Sequence, residues 1–246
     1  MEGPQLRLEV YESDAEAFDG AAQRVAERLR LPGDRKTVAL SGGRGGRGLM
    51  LALAARGDVP WDAIDWFWGD ERCVPPGDDR SNVRLARENL LAPRGIPAAR
   101  IHPPPLELGD AAAIASAYDA TLRAEAPVLD VVLLGVGKNA HVASLMPGCA
   151  ALDATAAVAP VALDEVSEEP RVARITITPR MLAAARYVVV LTVGAEKARA
   201  VAAAMRGPDD PPRTPAQLVR PSERVAWFID RAAAGELLRD ARPAQP

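Results

Sequence analysis

Apolar, β-branched runs alternate with Ala- and Arg-rich stretches along the whole chain. The runs predict strands over residues 6–10, 37–40, 65–68, 130–134, 172–177, 187–192 and 224–229. The intervening stretches predict helices over 14–30, 49–55, 82–91, 111–125 and 196–205. In the first of these, Phe18, Ala22, Val25, Ala26 and Leu29 fall on one face, and Asp14 is placed to cap the N-terminus. Continuous apolar strands such as VVLLGVG suit a sheet covered on both faces, and strand–helix alternation makes that sheet mostly parallel. The expected fold is therefore α/β: a doubly wound, mostly parallel open sheet flanked by helices. The proline clusters at 103–105 and 208–215 read as surface connections, too short for interdomain linkers, so residues 1–246 read as one domain.

Composition narrows the function. Of 246 residues, 48% are hydrophobic and 26% charged, an ordinary globular balance. Aromatics supply only 4%, which leaves Ala, Val and Leu to fill the core. A net charge of −3 argues against a nucleic-acid partner. No apolar run approaches membrane-span length, and the N-terminus lacks a signal layout, so a cytoplasmic location is expected. Cys73 and Cys149 lie far apart without metal-ligand spacing, and there are only two histidines, so no metal is expected.

Ligands of such sheets bind outside the carboxyl ends of the strands, and the segments there are rich in chemistry. The turn Ser41-Gly42-Gly43-Arg44-Gly45-Gly46 leads from a strand into a helix and suits an anion such as phosphate, although such a turn is also compatible with a purely structural role. Arg72, in WGDERCVPP, could bind phosphate or carboxylate; equally, Asp70, Glu71 and Arg72 could pair on a solvated loop, with Ser81 or Asn82 merely capping the next helix. His141 lies just past a strand end, where a general base is useful, though a structural histidine is the plainer reading; His102, beside three prolines, reads as a loop residue. Arg174 and Lys197 could bring positive charge to a phosphate or be surface cations.

Taken in order, LSGG, WGDERCVPP with its following SN, LLGVG with HVASLMPG, RITIT and GAEKA resemble the 6-phosphogluconolactonases from about Val38 to Lys197. Glucosamine-6-phosphate deaminases share the glycine-rich turn but normally continue differently after the histidine, and ASLMPG favours the lactonase branch. The resemblance implies an open, mostly parallel sheet, and hydrolysis of 6-phosphoglucono-1,5-lactone in the pentose phosphate pathway without metal or cofactor. It implies that His141 activates water, that Ser41, Gly42 and Gly43 line the pocket, and that Arg72, Arg174 and Lys197 hold phosphate or offset developing charge. The partner implied is a phosphorylated sugar lactone; oligomeric state is left open.

Two loops depart from the family pattern. Arg44 and Gly45 stand where hydroxyl side chains are usual, and Gly46 stands for a proline; Arg44 could restore phosphate affinity or fill the pocket. The usual DGHT is Asn139-Ala140-His141-Val142. Asn139 cannot stabilise an imidazolium as a carboxylate would, Ala140 is strained if its φ is positive, and Lys138 is expected to lower the His141 pKa. The alternative to an active lactonase is an impaired or repurposed member that binds sugar phosphates or serves as a scaffold.

Overall fold

The computed structural model describes residues 8–33 and 35–240. Its strands are β1 (Leu8–Tyr11), β2 (Lys36–Leu40), β3 (Ile64–Trp68), β4 (Asp70–Arg72), β5 (Val131–Leu134), β6 (Val158–Val161), β7 (Arg174–Ile177), β8 (Tyr187–Thr192) and β9 (Val225–Asp230). Six of them form a sheet in the order β1-β9-β8-β5-β2-β3, every neighbouring pair parallel. The other three, β4-β7-β6, form a small antiparallel sheet. The predicted parallel sheet is present, but the RITIT run belongs to the small sheet. The first strand begins at Leu8; residues 6 and 7 of its predicted span lie outside the described residues.

Alternate strand residues feed two cores, as the two-residue period of a strand demands. Val38, Leu40, Trp66, Val131, Val189 and Phe228 pack on one face, with helices α1 (Asp14–Leu29) and α2 (Gly43–Ala54). Ala39, Phe67, Val132, Val188, Val190 and Trp227 pack on the other, with α4 (Ala111–Glu125) and α6 (Ala198–Arg206). Burial on both faces explains why these strands are continuous apolar blocks. Short helices α3 (Asn82–Ala86), α5 (Pro179–Ala184) and α7 (Gly235–Asp240) complete the set. The predicted helix over 82–91 is α3 continued by a wider π turn, Arg87–Leu91.

Some local expectations change. Ser13, not Asp14, caps α1: its Oγ accepts from the Glu16 N–H at 3.2 Å, and Asp14 falls in the first turn, where its charge complements the helix dipole. Helix α2 starts at Gly43, six residues before the predicted start, so most of the glycine run is helical. The 196–205 prediction divides into a 3₁₀ turn, Ala195–Lys197, and α6. Among the described residues, no helix is long and apolar enough to cross a membrane.

The strand order reverses direction between β2 and β5, and the crevice at their carboxyl ends is the topological switch point of the sheet. Gly69 carries the chain from β3 into β4: its N–H donates to Leu40 O at 2.9 Å and its carbonyl accepts from the Ile177 N–H at 2.8 Å. The small sheet is thereby fastened beside that crevice.

Candidate active site

The crevice holds a cavity of about 250 Å³, lined by Ser41 to Gly46, Arg72, His141, Arg174 and Lys197 among others. The sequence-predicted site residues therefore converge, with Asn139 as the exception: it does not line the cavity but supports His141 from behind.

The cavity wall below β2 is the start of α2. Gly43 has φ +72°, a conformation in which glycine alone is unstrained, and Gly42 leaves room where a Cβ would lie 1.8 Å from Asn82 Oδ1. The first-turn N–H groups of a helix have no intrahelical acceptor, so this terminus offers donors and positive potential to an anion. Arg44 lines the cavity mouth, but its guanidinium bonds Asp14 of α1 at 2.5 Å and is largely exposed. In this conformation it neither fills the cavity nor anchors anything within it.

His141 sits on a tight hairpin after β5. The Ala140 N–H donates to Gly137 O at 3.0 Å, the Gly137 N–H donates to His141 O at 2.9 Å, and Ala140 has φ +65°. That is the left-handed conformation for which the family pattern supplies glycine, so the suspected strain is present. Ala140→Gly is expected to raise stability by about 1 kcal/mol, read as a higher urea midpoint at unchanged m. Gly137 is equally constrained, because a Cβ there would lie 2.0 Å from His141 Nδ1.

The imidazole has a defined tautomer. Asn139 Oδ1 accepts from the His141 backbone N–H at 3.1 Å and lies 2.6 Å from Nδ1. The other end of the amide, Nδ2, donates to Ser167 Oγ at 2.9 Å. With Oδ1 an acceptor only, Nδ1 carries the proton and Nε2 keeps the lone pair. The Asn139 N–H also donates to Glu168 Oε1 at 2.8 Å, so the 167–168 segment holds the orienting residue at two points. Burial pushes the His141 pKa down to about 3, helped by the positive charges of Arg174, Lys197 and Arg72. Lys138, expected to be responsible, is exposed; its charge acts on Lys197 instead.

Opposite lies a buried polar network, and of the two readings of Asp70, Glu71 and Arg72 the solvated loop does not hold for Asp70 and Glu71, which are buried. Asp70 accepts from Ser144 Oγ at 2.6 Å, and Asn82 Nδ2 donates to Asp70 O at 3.0 Å. Glu71 is fully buried and accepts from the Asn82 and Val83 N–H groups and from Ser81 Oγ, fastening the start of α3 to β4. Arg174, on β7, is 2% exposed; its Nη2 donates to Pro170 O at 2.9 Å and Glu168 O at 3.2 Å, and burial depresses its pKa, with Arg72 adding to the effect. Arg72 Nη1 donates to Arg80 O at 2.5 Å. Lys197 is half-buried, and burial lowers its pKa while Glu168 and Glu196 oppose that shift. Asp230 accepts from the Gly194 N–H at 3.0 Å and so fixes the turn that delivers Lys197.

Sequence reasoning thus missed Asp70, Ser144, Ser167, Glu168 and Thr192 as cavity or support residues. The WGDER and ASL segments contained the first two, and nothing local marked the others. Among the described residues, no group of three or more His, Cys, Asp or Glu side chains is placed to hold a metal.

Comparison with known proteins agrees with this geometry. Residues 12–227 match the family described as glucosamine-6-phosphate isomerases/6-phosphogluconolactonase. The chain is 38% identical to a 6-phosphogluconolactonase of Streptomyces coelicolor over 84% of each chain. It is 36% identical to one of Mycobacterium leprae over 94% of this chain and 98% of that one. A 6-phosphogluconolactonase structure from Trypanosoma brucei superposes with a TM-score of 0.84 at 27% identity, covering 96% of this chain and 100% of the other. With the sheet order, the switch-point cavity and these matches in agreement, the chain belongs to the glucosamine-6-phosphate isomerase/6-phosphogluconolactonase family.

Proposed function

We propose that the chain hydrolyses 6-phosphoglucono-1,5-lactone to 6-phosphogluconate, with His141 as the general base. The observation that carries this reading is the 2.6 Å contact between Asn139 Oδ1 and His141 Nδ1, which leaves Nε2 as a lone-pair nitrogen on a residue lining the cavity. Nε2 takes a proton from water as the water oxygen attacks the lactone carbonyl. The tetrahedral oxyanion forms beside Arg174 and Arg72, whose charges offset it. Its collapse breaks the bond to the ring oxygen, and the imidazolium returns its proton to that oxygen. Water and lactone thus become the open acid, and the protein ends as it began.

The phosphate is assigned to the start of α2, where Ser41, Gly42 and Gly43 line the cavity, with Lys197 supplying an ammonium. Arg44 reaches the same phosphate only by releasing Asp14. Neither metal nor organic cofactor enters this reaction. The setting is the cytoplasmic pentose phosphate pathway. A test is to compare 6-phosphogluconolactone with unphosphorylated gluconolactone. The reading expects kcat/KM to favour the phosphorylated substrate by about a thousandfold or more, and equal values would contradict the phosphate assignment.

The pH profile carries a second expectation. A base whose conjugate acid has a pKa of about 3 stays deprotonated from neutral pH down to about pH 4 and is lost only as pH falls further. The kcat/KM of the enzyme should therefore show no acidic limb between pH 5 and 8. An inflection near 6.5 would show a histidine of ordinary pKa acting instead.

A silent sugar-phosphate binder is the second reading, and the uncharged Asn139 favours it, because an amide stabilises the imidazolium less than a carboxylate does. It predicts saturable binding of 6-phosphogluconate with no turnover above background.

A further inference from the structure

A buried polar atom without a hydrogen-bond partner is costly, and its place in a fold is informative. Among the described residues, eight side chains keep such an atom, and four of them, Arg72, Asn82, Arg174 and Thr192, line the cavity that also contains His141. Of the remainder, Trp61, Trp66 and Arg94 belong to one stack of rings and guanidinium beside β3. The two cavity arginines have roles in the proposed mechanism. Asn82 and Thr192 have none.

We propose that Thr192 and Asn82 bind ring hydroxyl groups of the ligand, and so select a polyhydroxylated sugar phosphate over a deoxygenated one. This rests on the lactonase reading in taking a sugar phosphate as the ligand. Thr192 is the last residue of β8 and is 2% exposed. Val188 and Val190 precede it on the same face of the strand and Val193 follows it, so the position suits a valine by shape. Its hydroxyl has no protein partner among the described residues, which leaves one donor and two lone pairs unused on a residue that lines the cavity.

Asn82 is 1% exposed, and its orientation is set from behind: Nδ2 donates to Asp70 O at 3.0 Å, and its backbone N–H donates to Glu71 Oε1 at 2.8 Å. Oδ1 is therefore the end left over, an acceptor beside Gly42. A donor–acceptor and a pure acceptor, both fixed by packing, suit the hydroxyls of a sugar ring. Asn82 Oδ1 has no proton to offer a phosphate, and the Thr192 hydroxyl can donate to or accept from a ring hydroxyl.

The decisive variant is Thr192→Val, which keeps the shape and removes the hydroxyl. Because that hydroxyl satisfies nothing in the protein, the variant is expected to melt no lower than the parent. Its affinity for 6-phosphogluconate and its kcat/KM for the lactone are expected to fall about tenfold, as for one lost hydrogen bond. Inhibition by inorganic phosphate, which has no ring hydroxyls, should be unchanged. Asn82→Ala should weaken 6-phosphogluconate in the same selective way at a temperature where the variant is folded, although it also loses the Asp70 contact. Unchanged 6-phosphogluconate affinity in Thr192→Val, equal weakening of inorganic phosphate, or a lowered melting temperature would each overturn the proposal. Failure of the lactonase reading is visible separately, because the parent protein would then show neither turnover nor 6-phosphogluconate binding.

Discussion

His141→Ala is expected to lower kcat for lactone hydrolysis about a thousandfold, the usual scale for removing a positioned base, while 6-phosphogluconate still binds. The imidazole is the titratable group whose proton position the surroundings dictate: Asn139 Oδ1 accepts a hydrogen bond from Nδ1–H, and Ser167 and Glu168 hold Asn139 in turn. Alanine removes the lone pair without touching α2 or Lys197, where phosphate is assigned, so KM and product affinity should change little. Steady-state kinetics with isothermal titration of 6-phosphogluconate separates the two. A variant that turns over like the parent would remove His141 from the mechanism.

Arg174→Met should lower kcat/KM by about two to three orders of magnitude and shift the acidic limb of the pH profile upward. The first effect follows from losing a buried positive charge beside the developing oxyanion. The second follows from the electrostatics of His141, whose pKa is held at about 3 by burial first and by Arg174 as the leading charge. Removing that charge raises the pKa, so protonation sets in at a higher pH than in the parent. Methionine retains most of the buried volume but leaves the carbonyls of Glu168 and Pro170 without their guanidinium donor, so circular dichroism must show an intact fold. A rate loss with an unmoved limb would mean that Arg174 acts on substrate alone.

The parts of this molecule legible in the sequence are those dictated locally. Val131–Leu134 and Tyr187–Thr192 are strands buried on both faces, and an unbroken apolar run is sufficient to reveal them. Strain at Ala140 could be anticipated because one backbone conformation excludes most side chains, and φ is +65°. The start of α2 was not legible, because glycine disfavours helix and yet is required at Gly42 and Gly43 by Asn82 and by a positive φ.

Longer-range dependence hid the rest. Asp70, Glu71 and Arg72 look like a solvated charge cluster, and only pairing with β7 and the donors arriving from Ser81, Asn82 and Ser144 make them a strand with Asp70 and Glu71 buried. Ser167 and Glu168 sit in a stretch without hydrophobic period, 28 and 29 residues from the Asn139 they hold. Val158–Val161, which includes a proline, gave no strand signal, although it pairs with β7 at the edge of the small sheet. Asparagine, where the family pattern has aspartate, keeps the contact with the imidazole while the charge is lost.

The most direct measurement is the rate at which the unmodified protein opens freshly generated 6-phosphogluconolactone, followed by proton release with spontaneous opening subtracted. The account predicts a saturable rate, proportional to enzyme concentration and well above the spontaneous one, at pH 6 to 7. A rate equal to the spontaneous one, in a protein that still binds 6-phosphogluconate, would contradict it and leave a sugar-phosphate binder in place of an enzyme.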